Sequence, residues 1–284
     1  MTGLFRDGRS AAGLGIIGLF AVLALLAPWL APVDPAFQGD ILANRFLPPL
    51  ARGSDGVLHL LGTDHLARDL WARFLYGARI SLAVGVLSVL VAIVVGAAVG
   101  LGAAVRGGLV ERGLMAVTDA ALAMPRIVLL LALVTIWQPS LLLVVLVLGF
   151  TGWMSVARLV RAEAKGIMQR PFVAAARAGG AGQLRLVGRH VLPNATTPII
   201  VAAALGVGNA IMLEAGLSFL GLGIPAPAPS WGNMIASGRD ALVNAPWIAT
   251  FPGLAVAVAV VACNLVGDGA RDALDPTTAF ETRS

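Results

Sequence analysis

The side chains able to do chemistry are few, and their spacing excludes most of it. His59, His65 and His190 are widely spread. No HExxH or GxSxG is present, so neither zinc hydrolysis nor a serine triad is indicated. His59 and His65 read as loop histidines, with an external metal contact as the lesser alternative. The only lysine, Lys165, follows Ala164, so the Gly-Lys of a phosphate-binding P-loop is missing and the chain is not its own ATPase of that type. What remains is charge in unusual places. Asp119, Arg126 and Glu214 interrupt long apolar stretches, where an ionisable group is a candidate for lining a transport pathway. Asp119 and Arg126 are seven residues apart, two helical turns on nearly one face, so mutual compensation is one reading of them.

A second unusual feature is the polar island PFVAAARAGGAGQLRLVGRHVLPN, from Pro171 to Asn194. Pro171 suits the first position of a helix, and Ala174, Ala175, Ala176 and Arg177 are good helix formers. Gly179 and Gly180 suit its end. A second basic turn should then finish at Pro193. An alanine surface lets another protein's groove close tightly around it, while Arg177, Arg185 and Arg189 hold the segment in water or at lipid headgroups. The chemistry is that of a peg made for a socket.

The elements that must carry this peg are membrane spans. Of 284 residues, 58% are hydrophobic and 12% charged, and the mean hydropathy is +0.88, which belongs in a bilayer. With so few charges, the net +5 fits positive-inside loops better than nucleic-acid binding. Cys263 is the only cysteine, so no disulfide framework is expected.

In chain order, residues 1–9 read as a cytoplasmic N-terminus and 10–33 as a first transmembrane helix, retained rather than cleaved as a signal peptide. Residues 34–79 read as an external segment ending in an interfacial amphipathic helix, with Leu70, Trp71, Phe74, Leu75 and Ala78 on one face and Arg68, Arg73 and Arg79 away from it. A transmembrane core would occupy residues 80–276. Its second span is 80–105. A third begins near Gly113, carries Asp119 and Arg126, and kinks at Pro125; a fourth follows Gln138-Pro139-Ser140 and ends near Ala157. The loop 158–193 has seven basic residues against Glu163, which marks it as cytoplasmic. A fifth span runs from about Thr197 to Glu214, which should lie near its outer end and either face the pathway, the favoured reading, or reach water. The next apolar run is too short to cross, and a sixth span covers about Ala249 to Gly267 before a cytoplasmic tail at 277–284.

The spacing of Ala175-Ala176, Gly180 and Leu192-Pro193 resembles the EAA loop of bacterial ABC-transporter permeases, with Ala174 in place of the usual glutamate and His190 in place of the usual isoleucine. RHVLPN, LGTDHLARD (with Ala67 where glycine is usual), AGLSFLGLGIPAPAPSWG and GDGARDALDP resemble the dipeptide, oligopeptide and nickel permeases over most of residues 60–276.

The resemblance implies an all-α, polytopic fold of six transmembrane helices with a cytoplasmic coupling helix, as in type I ABC importers. It implies a non-catalytic permease in a bacterial inner membrane, paired with a second related permease, two ATPase subunits and an external binding protein. ATP and magnesium would be held by the ATPases, and no cofactor by this chain. The docking residues would be Phe172, Ala174, Ala175, Ala176, Arg177, Gly180, Gln183, Arg185, His190 and Pro193. Peptides are the first expectation for substrate and nickel or its chelates the second. An ion-coupled secondary carrier using Asp119, Arg126 and Glu214 is the reading from another class.

Overall fold

The computed structural model describes residues 8–54 and 56–274. The expected ends, 1–9 and 277–284, therefore lie largely or wholly outside the described residues. Twelve α-helices are present among those described. The first is α1 (Gly8–Leu25), followed by a single turn, α2 (Ala27–Leu30). A folded cap contains α3 (Ile41–Asn44) and the antiparallel pair β1 (Ala51–Arg52) and β2 (Leu58–His59). Then come α4 (Leu70–Arg106), α5 (Gly108–Ala123), α6 (Arg126–Ile136) and α7 (Leu141–Met168). A short helix α8 (Pro171–Ala178) precedes α9 (Gln183–Leu186), which runs through a π-helical turn (Val187–Val191) into α10 (Leu192–Phe219). The chain ends with α11 (Trp231–Gly238), a 3-10 turn (Arg239–Ala241) and α12 (Trp247–Leu274).

Among the described residues, five continuous helices are long and apolar enough to cross a membrane: α1, α4, α7, α10 with its preceding turns, and α12. The expected third span is broken rather than kinked. Met124 and Pro125 are extended, with ψ near 132° and 116°, because proline disfavours helical geometry in the residue before it. The expected interfacial helix is likewise not separate. It is the start of α4, whose 37 residues make a rod of about 55 Å, well beyond the roughly 30 Å of hydrocarbon. The fifth and sixth spans also begin and end outside the bounds expected for them, at 192–219 and 247–274.

Since lipid is as apolar as leucine, packing rather than water exclusion must hold these helices together, and small residues supply it. On α4, Ser81, Gly85, Ser88, Ala92, Gly96 and Gly100 recur every three or four residues, and all are buried. They form a seam into which α7 and α10 settle. A Cβ on Gly96 would stand 2.6 Å from the Trp153 carbonyl oxygen, and one on Gly149 of α7 would stand 2.6 Å from Val91 Cβ. Gly85 meets Ile211 of α10 in the same way. α1 sits at the margin, against α12, where Gly13 closes onto the Ala262 carbonyl.

The cap is internally bonded rather than solvated. The Asp64 carboxylate accepts from the Leu66 and Arg68 amides and, at 2.7 Å, from Arg68 Nε. Arg73 Nη1 donates to the Pro35 carbonyl at 3.2 Å. Arg68 and Arg73 are thus buried, correcting their expected outward placement, because one carboxylate and one carbonyl give them partners inside. Asp69 caps α4 by accepting from the Ala72 amide and also contacts His59 Nδ1 at 2.7 Å. Ala67 has φ of +56°, a left-handed conformation that glycine adopts more readily.

Candidate functional site: a projecting helix and the cleft above it

The cap lies at the beginning of α4, and α8 lies beside its end, so the two features occupy opposite ends of the bundle. α8 is anchored through one side chain. Val173 is fully buried among Ala164, Ile167, Leu186, Val191 and Ala195. The helix stops as the glycines predict. Gly180, at φ +84°, donates to the Arg177 carbonyl at 3.0 Å while the Ala181 amide donates to Ala176 at 3.1 Å, the paired bonds of a Schellman cap.

The rest of the segment faces outward. Phe172, Ala174, Ala175, Arg177, Gly180, Gln183 and Arg185 are exposed, and Ala176 and His190 are half-buried. The Phe172 and His190 rings lie 6.0 Å apart. Pro193 is exposed but ends nothing: it occupies the first turn of α10, which correction follows from the favourable place proline has at a helix start. Sequence reasoning missed Leu184, which is 90% exposed and, with Phe172, gives the segment an apolar contact surface. A leucine isolated within a polar island was the available signal.

Two acids of α5 fasten it to α7 just above this segment. Glu111 accepts from Arg161 and from Lys165 Nζ at 2.7 Å. Asp119 pairs with Arg158 at 3.0 Å, both half-exposed. The Pro125 break separates Asp119 and Arg126 into different helices, and the side chain of Arg126 is not described. The Lys165 hydrogen bond, then that of Arg161, holds the Glu111 carboxyl below its ordinary value of 4.5. A lowered carboxyl favours the folded state above the unfolded value and loses that contribution as pH falls through the folded one. Glu111→Gln should therefore raise amide exchange in α5 several-fold at neutral pH and by little in acid. An equal effect at both pH values would show that the ion pair is not the fastening.

Glu214 does not reach water. It is fully buried, accepting from Ser218 Oγ at 2.7 Å, Ser230 Oγ at 2.8 Å and Ser81 Oγ at 3.4 Å. Ser81 Oγ in turn accepts from the Trp231 amide, and Ser230 caps α11 in a capping box with Asn233. One carboxylate thus joins α4, α10 and α11, whose hydroxyls satisfy it without a cation.

A cleft opens between α7 and α10, the two helices that flank the projecting segment. Its inner part holds about 220 Å³ over a floor supplied by Ser88 and Ala92 of α4, with Ser155 and Asn209 on its walls. Its mouth, about 680 Å³, is bordered by Glu163, Arg170 and Arg271, and Leu159 and Ala202 line both parts. Ser88, Ser155 and Asn209 carried no charge or motif to mark them in the sequence.

Long apolar helices packed through small residues, a short projecting helix between two of them and a polar cleft above it define a multi-pass membrane permease. Residues 88–279 match the family described as binding-protein-dependent transport system inner membrane component, and residues 3–49 match the N-terminal transmembrane domain of oligopeptide transport permease C. The chain belongs to this inner-membrane permease family. It is 42% identical to the di/tripeptide transport system permease protein DppC of Pseudomonas aeruginosa, covering 96% of this chain and 89% of that one. It is 41% identical to the dipeptide transport system permease protein DppC of Escherichia coli K12, covering 95% and 90%. A chain of the MetNI methionine ABC transporter, in inward-facing conformations, shares the fold with a TM-score of 0.59 at 20% identity, over 72% of this chain and 96% of that one.

Proposed function

We propose that this permease forms one half of the pathway of an ATP-driven importer of dipeptides and related short peptides. A second permease would complete the pathway, and an external binding protein would deliver the peptide. Two ATPase subunits, holding ATP and magnesium, would dock on α8. The observation that carries this reading is α8 itself: one buried valine, an outward alanine face, exposed Phe172 and Leu184, and a long helix on either side. Because α7 and α10 wall the cleft, a push on α8 is a push on both walls. The two states of the cleft would then differ in their contacts to the ATPases, which is what lets nucleotide shift between them. Substrate class is supported by the peptide permeases to which the chain is similar, which gives nickel no comparable support.

Ala175→Trp should cut ATP-driven dipeptide uptake by about tenfold or more, the loss of one central interface contact, because the bulky ring obstructs docking. Thermal unfolding of the permease should not change, since Ala175 is exposed. Normal uptake would remove α8 from the docking surface, and uptake that survives without ATP but collapses with an ion gradient would favour a secondary carrier.

The proposed topology puts both termini and α8 in the cytoplasm of a bacterial inner membrane. A cysteine replacing Gln183, in a background with Cys263 replaced by alanine, should react in intact cells only with a membrane-permeant reagent. Ready reaction with an impermeant one would invert the topology.

A further inference from the structure

Three polar side chains in the otherwise mostly apolar lining of the cleft are out of place for either lipid contact or a packed interior. Ser88 lies at the midpoint of α4, is 2% exposed, and its buried Oγ has no hydrogen-bond partner. Asn209 and Ser155 face it from α10 and α7, and both are exposed along the middle of membrane-length helices. Facing hydrocarbon, an unsatisfied amide costs several kcal/mol. Other exposed positions near the middle of these helices include the apolar Leu87, Leu90, Leu146 and Met212, while charged ones such as Arg158 and Glu163 lie toward the α8 end. The cleft face is therefore built for a polar occupant.

We propose that this cleft is a half-site for the backbone of the transported peptide, with Asn209 and Ser155 pairing with its amide groups and Ser88 offering a further hydroxyl from the floor. This inference rests on the peptide-import reading above. A carboxamide carries both donors and an acceptor, as a peptide group does, and a hydroxyl can serve either role. Such a set grips backbone and ignores side-chain identity, which suits a permease that passes many peptides. No charged side chain lines the inner part, so the site does not compete with the charged ends of the peptide for a fixed ion pair. Its 220 Å³ falls below the roughly 300–1,000 Å³ of complete small-molecule sites, which fits a surface finished by a second permease. The route onward runs past Leu159 and Ala202 to the wider mouth beside α8.

The test uses the whole transporter, with both permeases, the ATPases and the binding protein in lipid vesicles, and radiolabelled dialanine as probe. Asn209→Leu should reduce dialanine uptake about tenfold or more, as expected when a built hydrogen-bonding site loses its partner, while the assembled complex is recovered in wild-type amount. Asn209→Gln should recover a large part of the uptake. In a background with Cys263 replaced by alanine, Asn209→Cys should react with a charged, water-soluble thiol reagent, and dialanine held in the pathway during turnover should slow that reaction. Wild-type uptake by Asn209→Leu would overturn the proposal. So would reaction with lipid-soluble reagents alone, which would make this a lipid face, or crosslinking to the second permease with uptake intact, which would make it a subunit contact. Failure of the wild-type transporter to take up dialanine would instead remove the peptide-import reading and this inference with it.

Discussion

Gly96→Leu is expected to leave little folded permease to recover. A Cβ at Gly96 would already lie 2.6 Å from both the Trp153 carbonyl oxygen and Val156 Cβ, closer than real side chains stand. The obstacle includes backbone, so no rotamer change relieves it. Moving α7 away is costly too, because Gly100 lies against the Ala157 carbonyl one turn further on, and Gly149 closes the seam from the α7 side. Overpacking of a single core site costs about 1–3 kcal/mol. Prying apart a glycine-lined helix contact should reach or exceed the upper figure, out of a total of about 5–15 kcal/mol. Thermal unfolding in detergent, followed by tryptophan fluorescence, reads the loss directly. Gly102, where a Cβ would meet nothing within 4 Å, is the internal control: Gly102→Leu should melt near the wild type. Equal melting temperatures for the two variants would deny the seam its role.

Glu214→Ala should be nearly as damaging, for a different reason. The carboxylate is the acceptor for hydroxyls on three helices, and its removal leaves Ser81, Ser218 and Ser230 without it inside a closed site. Lost hydrogen bonds and the space vacated by the side chain together cost roughly 3 kcal/mol or more. Glu214→Gln keeps the volume and one acceptor oxygen, so it should retain most of the stability. Amide exchange localises the effect: α11, held through Ser230 and the Trp231 amide, should open first. Unchanged exchange in α11 would show that Glu214 does not tie it to the bundle.

Hydropathy made the long apolar helices legible, and the local chemistry of Pro171 and Gly180 marked both ends of α8 without any tertiary contact. Those signals are local, acting within a few residues. The misreadings share the opposite property. Arg68 and Arg73 looked outward because their partners, Asp64 and the Pro35 carbonyl, belong to a cap whose path is set by non-local contacts. The burial of Glu214 was hidden for the same reason, since its hydroxyl partners include Ser81, 133 residues away. The pairing of Asp119 with Arg126 presumed one continuous helix, whereas the extended Met124-Pro125 pair puts them in different helices and Arg158 of α7 pairs with Asp119. The small-residue seam on α4 is visible as composition, yet its three- and four-residue rhythm names no partner helix until α7 and α10 lie against it. Ser88, Ser155 and Asn209 could not be singled out at all, since an uncharged polar residue acquires meaning only from the space in front of it.

The π-helical turn between α9 and α10 sets the gearing between the two ends of this lever. An α-helix advances about 100° per residue, and a wider turn of five residues shifts the rotational phase of everything beyond it without breaking the rod. The compass bearing of Leu184 and Arg185 is thereby tuned separately from that of Asn209, although one helical shaft carries all three. A change confined to that turn would therefore re-aim Leu184 and Arg185 relative to Asn209 while leaving the helices at both ends unaltered.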